Sequence, residues 1–164
     1  MIEVRRCGAD DLAALQRHWP SPVHLSHFEW QRAADADYLI AWRDERPLGS
    51  VVVVRSGDAE GAGAPDRGVE VRHLQVRTEC QREGAGKALV AAAIELARAR
   101  GVPCMSVWVA DDNEAARALY CGLGFEPTGR FEVSEYDWLD EAGQPHHAVE
   151  RNELMTRVVP NASR

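Results

Sequence analysis

Seven consecutive residues, Gln81-Arg82-Glu83-Gly84-Ala85-Gly86-Lys87, have the makings of an anion site. Before them Val69 to Val76 is rich in β-branched residues and reads as a strand; after them Ala88 to Arg100 carries Leu89, Ala93, Leu96 and Ala97 at helical spacing. A glycine-rich turn between strand and helix leaves its amide N–H groups unpaired, adds the positive end of the helix, and lets a phosphate come close. A diphosphate fits such a turn. A P-loop would need glycine where Gln81 stands and Ser or Thr where Ala88 stands, and a dinucleotide fingerprint would need Gly or Ala in place of Leu89. Two glycines alone at a helix start are more often only a tight turn.

A second constellation follows about thirty residues on, Asn113-Glu-Ala-Ala116-Arg-Ala-Leu119-Tyr120-Cys-Gly-Leu-Gly124-Phe125. Asn113 and Tyr120 are seven residues apart, which on a helix puts both on one face where they can address one ligand. Asn113 also suits a helix cap and Tyr120 a core aromatic. Together, Gln81-x-x-Gly84-x-Gly86 and the Asn, Ala, Leu-Tyr, Gly-Phe series resemble the two signature segments of the GNAT-type N-acetyltransferases, in order and spacing.

That resemblance implies acetyl-CoA as cosubstrate. Its pantetheine arm is expected along the backbone of Leu74, Gln75 and Val76 as an added strand, and its diphosphate on the amides of Gln81, Arg82, Glu83, Gly84, Ala85, Gly86 and Lys87, with Asn113 and Tyr120 completing the coenzyme site. Glu83 departs from the pattern by placing a negative charge beside the diphosphate. Forming an amide from a protonated amine requires a base, and expelling a thiolate requires an acid. By the resemblance, Glu70 stands at the position of the base and Tyr120 at that of the acid. Strand alternation puts Glu70, Arg72, Leu74 and Val76 on one face, so Glu70 is equally placed to pair with Arg72, leaving His73 and Glu135 as other bases. No triad spacing surrounds a Cys or Ser, so transfer is expected to be direct. An acyl-CoA sensor without turnover, and a transferase for another acyl group or acceptor, are the alternatives.

A net charge of -7 argues against nucleic acid and anionic membranes as partners, and suits an amine acceptor, small-molecule or peptide, or simply solubility. Cys7, Cys80, Cys104 and Cys121 form no Cys-x-x-Cys pair, the N-terminal residues lack an export core, and no apolar run reaches a membrane span, so a cytoplasmic protein with reduced thiols is expected. A homodimer is open. His24 and His27 have no third or fourth donor of suitable type, and His146-His147 reads as a solvated turn; no metal is expected.

The elements that must position these residues read as one domain over 1–160 with a short tail at 161–164. Ile2 to Arg6 suggests a strand, Ala9 to His18 a helix, and Ser26 to Ala36 a second helix capped by Ser26 with Glu29 three on. By the resemblance this helix pair walls the acceptor site with Trp19, His24, His27, Phe28 and Trp30. Tyr38 to Arg43 and Leu48 to Val54 predict a hairpin around Asp44-Glu45-Arg46-Pro47, Ser56 to Gly68 a mobile loop, Pro103 to Ala110 a strand, and Arg130 to Leu139 with Asn152 to Val158 a last pair. The fold class is α/β, mixed α+β: by the resemblance, a mostly antiparallel sheet of about seven strands, helices on both faces, and middle strands that splay apart.

Overall fold

The computed structural model describes residues 1–33, 36–55, 68–140 and 142–160. Its elements run β1 (Glu3–Arg6), α1 (Ala9–His18), α2 (Pro22–Arg32), β2 (Ala36–Arg43), β3 (Arg46–Arg55), β4 (Val69–Val76), a 3₁₀ turn at Thr78–Cys80, α3 (Ala85–Ala99), β5 (Cys104–Ala110), α4 (Glu114–Gly122), β6 (Glu126–Leu139) and β7 (Pro145–Val158). The strands form one sheet in the order β1-β2-β3-β4-β5-β7-β6, antiparallel throughout except for the parallel β4–β5 pair. The seven-stranded mixed sheet predicted from sequence is the one observed. The expected loop from Ser56 falls, up to residue 67, outside the described residues, as does the tail at 161–164.

Alternation along the strands builds two cores. Leu39, Ala41, Val51, Val53, Val69, Val71, Val107 and Val109 face α3 and α4, while Tyr38, Ile40, Trp42, Val52 and Val54 face α1 and α2. α3 buries a stripe of Ala85, Leu89, Val90, Ala93, Ile94 and Ala97, small residues alternating with branched ones, so the helix lies close to the sheet. Burying Leu89 completely contributes about 2 kcal/mol. On the opposite face, the cover given by α1 and α2 lies over the first strands and reaches β4 at Arg72 and His73, and polar residues of β4 to β7 on that side are left facing a cleft.

Three boundaries differ from the sequence expectation. α2 begins at Pro22, capped by Ser21, whose Oγ accepts from the Val23 amide at 3.4 Å; proline fits the first turn because its missing N–H has no partner to lose there. Ser26 is therefore inside the helix, which ends at Arg32, and Ala36 already belongs to β2. The β2–β3 turn is two residues, not four: Asp44 and Glu45 both take positive φ (49° and 64°), the geometry that matches the twist of a tight hairpin. β6 and β7 are each 14 residues long, so Pro145, His146 and His147, expected in a loop, lie in β7 opposite Leu139, Trp138 and Asp137.

Candidate active site

β4 and β5 run together for only three residue pairs, Val69 with Met105, Glu70 with Ser106 and Val71 with Val107. Beyond Val71 and Val107 the two strands separate and no longer pair with one another. The cause is local to β4. Val52 of β3 pairs with Arg72 and Ser50 with Gln75, so two residues of β4, His73 and Leu74, stand against the single Val51. This is a β-bulge, and His73 takes φ +54° to make it. β3 closes up again immediately afterwards at Gly49, where a Cβ would lie 2.6 Å from the Gln75 carbonyl oxygen.

The bulge also corrects the expected alternation. Glu70 and Arg72 share a face, but Leu74 and Val76 pack with Val69 and Val71 on the α3 side, because one extra residue reverses the pleat. Glu70, itself 7% exposed, receives the Arg72 guanidinium at two points, Nε to Oε1 at 2.9 Å and Nη2 to Oε2 at 3.1 Å. The pairing that sequence left open is thus the one present.

A cavity of about 580 Å³ occupies the fork. Its lining takes Val71, Val107 and Val109 from one face of the sheet and Glu70, Arg72, Ser106 and Trp108 from the other, so it passes between the strands. Of the residues predicted for the site it gathers Glu70, Leu74, Asn113 and Tyr120, together with His73. Tyr120 is 4% exposed, held edge-on by Phe125 at 5.4 Å, and its hydroxyl has no hydrogen-bond partner among the described residues. Burial pushes its pKa up to about 12, so the phenol keeps its proton at neutral pH. Asn113 caps α4, its Oδ1 accepting from the Ala116 amide at 3.1 Å, while still facing the cavity. His73 stacks on His27 at 4.9 Å; desolvation first and the Arg72 charge next hold its pKa below the ordinary imidazole value.

Gln75, Val76 and the stretch from Gln81 to Lys87 lie outside the cavity lining but adjoin its mouth. A Cβ on Gly86 would be 3.7 Å from Val76 and 3.6 Å from Leu119 of α4, so the start of α3 sits between the end of β4 and α4. Gly84 takes φ +92° as the N-cap, with no side chain capping the helix, and from Arg82 to Lys87 no backbone amide donates to a group among the described residues. Glu83, the residue that departs from the pattern, is paired with Arg43 at 3.4 Å. Its charge has a cationic neighbour in place.

The helix-hairpin residues do not line this cavity. Trp19, Phe28 and Trp30 pack on the second core, and His24 is fully buried. Its Nε2 donates to the Trp19 carbonyl at 2.6 Å, which leaves Nδ1 to accept from the Tyr38 hydroxyl at 2.7 Å. His27 reaches the site only through its stack on His73. Glu135, named as a spare base, sits on the face of β6 away from the cavity and bonds His147 at 2.7 Å. Residues that sequence reading passed over are Ser106, Trp108, Glu132, Ser134, Glu150 and Asn152, which floor the cavity. The signal was alternation: Ser106 and Trp108 alternate with Met105, Val107 and Val109, and Glu132 and Ser134 with Phe131 and Val133.

Residues 7–125 match the model of the acetyltransferase (GNAT) family. The chain belongs to this family. Among curated relatives, the mycothiol acetyltransferase of Streptomyces coelicolor is 33% identical over 129 residues, covering 72% of this chain and 40% of that protein. That of Brachybacterium faecium is 35% identical over 94 residues, 57% of this chain and 27% of the relative. This GNAT chain therefore spans two fifths or less of those relatives' lengths. Among solved structures, the ribosomal-protein-S18-alanine N-acetyltransferase of Escherichia coli superposes with a TM-score of 0.67 at 18% identity, over 99% of this chain and 97% of that one. A Salmonella typhimurium protein described as an acetyltransferase and solved with its cofactor acetyl-CoA gives 0.71 at 17% identity, over 100% and 97%. At these identities the likeness establishes the GNAT fold. No helix of the described residues is long and apolar enough to cross a membrane.

Proposed function

We propose that this GNAT chain transfers an acetyl group from acetyl-CoA to an amine by direct attack in a ternary complex. The observation that carries the reading is the fork itself: strands that stop pairing at Val71 and Val107, unsatisfied amides at its mouth and an unbonded phenol at its centre. Backbone groups past the end of the β4–β5 ladder offer an edge to an amide-bearing chain such as pantetheine. The amides of Arg82 to Lys87 and the start of α3 offer a diphosphate its donors, with no Cβ at Gly84 or Gly86 to hold it off. When bound, acetyl-CoA supplies the acyl group as a thioester. Tyr120 holds at its hydroxyl the proton that a departing thiolate needs, and the raised pKa keeps that proton in place until then.

The acceptor amine must lose a proton. Glu70 and His73 are the groups on β4, beside the end of the parallel ladder, able to take it, Glu70 through a carboxylate already engaged by Arg72, His73 through an imidazole kept neutral at pH 7. The engagement of both Glu70 oxygens is also the one observation favouring a second reading, a module that binds acyl-CoA without turnover. Thiol appearance with a panel of amines separates the two. Release with at least one amine supports transfer; tight acetyl-CoA binding with no release from any amine supports the sensor. No acetyl-CoA binding at all overturns both.

A further inference from the structure

The relatives' names range from a mycothiol acetyltransferase to a ribosomal-protein-S18-alanine N-acetyltransferase, so the acceptor class is argued from the cavity alone. Its lining holds three carboxylates, Glu70, Glu132 and Glu150, against one guanidinium, Arg72, and that guanidinium is spent on Glu70. Glu132 and Glu150 have no cationic partner among the described residues. They are neighbours on one face of the β6–β7 ladder, Glu132 opposite Asn152 and Glu150 opposite Ser134. Like charges set diagonally across a strand pair repel, and nothing in the packing requires them there. Glu150 accepts a hydrogen bond from the Tyr136 hydroxyl at 2.9 Å, and Asp112 lies near enough to add its charge to that phenol's surroundings. Three basic side chains of α4 and β7 are engaged elsewhere: Arg117 pairs with Glu153, Arg151 with Asp111, and His146 with Asp140.

The other end of the cavity is marked independently. Tyr120 and Ser106 are 4% and 2% exposed, both line the cavity, and neither hydroxyl has a partner among the described residues. Neither hydroxyl is sealed from solvent: both open to the one cavity, where a polar ligand can bond them. Glu132 lies two strands across from β5 and three residues along from Val107, the last pair of the parallel ladder. At ~4.8 Å per strand and ~3.4 Å per residue the two backbone points are roughly 14 Å apart, and the glutamate side chain spans part of that gap.

We infer that the acceptor is a diamine or longer oligoamine, one nitrogen reacting beside Tyr120 and Ser106 and a second, still protonated, held between Glu132 and Glu150. The inference rests on the transfer reading for the first nitrogen and on the unpartnered carboxylates for the second. A protonated second amine satisfies both glutamates and relieves their repulsion; a neutral tail does neither. The Tyr136 ring and Trp138 continue the same face of the hairpin beyond Glu150, an aromatic surface on which the aliphatic and cationic parts of a long amine can lie.

The test compares straight-chain diamines of increasing length with alkyl monoamines of matching length, reading both thiol release and binding by calorimetry in the presence of CoA. The expected result is a preference for diamines of roughly tenfold in kcat/KM, shrinking as sodium chloride is added. In the double variant Glu132→Gln, Glu150→Gln the ratio of diamine to monoamine should fall close to one. Equal rates for both series, a preference that survives the double variant, or one indifferent to salt in the native chain would overturn the inference. Diamine binding that depends on the two glutamates without any thiol release would sustain it and remove the transfer reading. Absence of diamine binding would remove the inference while leaving monoamine transfer to stand.

Discussion

Glu70 and Arg72, two residues apart on β4, close a two-point ion pair at 2.9 and 3.1 Å directly beside the end of the β4–β5 ladder. The pair fixes where a carboxylate meets the cavity. Glu70→Gln keeps the shape of the side chain and leaves one point of contact for Arg72. If Glu70 takes the amine's proton, turnover should fall on the order of a hundredfold and the rate maximum should move to higher pH. An unchanged pH–rate profile would pass that role to His73, and His73→Ala would then carry the loss.

Tyr120→Phe removes a hydroxyl that bonds nothing among the described residues. Stability should therefore change by less than about 1 kcal/mol, while turnover falls on the order of a hundredfold or more with acetyl-CoA affinity nearly constant. Full turnover across the pH range would show that another group protonates the leaving thiolate.

Gly84 is the left-handed N-cap at φ +92°, and its neighbours' amides donate to no group among the described residues. Gly84→Ala should cost about 1 kcal/mol of stability through backbone strain. Gly84→Trp should in addition block the mouth and abolish acetyl-CoA binding in calorimetry. Binding at native affinity by Gly84→Trp would move the diphosphate to another part of the surface.

His27 is crowded by Tyr38 at 5.1 Å and His73 at 4.9 Å, its Nδ1 is buried without a partner, and desolvation, followed by the nearby His73 and His24, lowers its pKa to about 4. The sign is fixed by the folded value lying below the ordinary 6.5: above pH 6.5 both states are neutral, and below it the unfolded chain takes up the proton first. Folding free energy should thus fall as pH drops from 6.5 towards 4. His27→Phe keeps the ring packing and discards the proton, so urea midpoints at pH 7 and pH 4.5 should lie closer together than in the native chain. An identical pH dependence in the variant would exclude His27 as the source.

The end of the site proposed for the coenzyme could be read from the sequence because it depends on local geometry: Gly84 where the turn takes positive φ, and Asn113 and Tyr120 seven residues apart on one helix. The far end of the cavity could not. Glu132, Glu150 and Asn152 come to the cavity from an antiparallel ladder whose register is a long-range property, and Ser106 reaches it from a strand that otherwise reads as core. α2 was misplaced by four residues at its start because Ser26 with Glu29 imitates a capping box, while Ser21 followed by Pro22 was the true beginning. Leu74 and Val76 were assigned to the wrong face since no residue between Arg72 and Gln75 advertises an irregular pleat; His73 adopts it without being glycine.

That irregular pleat divides the labour of a single strand. Up to Arg72 the even-numbered side chains of β4 line the polar side of the cavity; from Leu74 onward the same parity of position serves the apolar layer under α3. Deleting His73 would remove the extra residue and leave Arg72, Leu74, Gln75 and Val76 alternating on the faces they already occupy, whereas flattening the bulge with His73 kept would bury Gln75 among valines and turn Leu74 to the opposite face. Homologous segments compared position by position without a gap at this point would mismatch every side chain that follows.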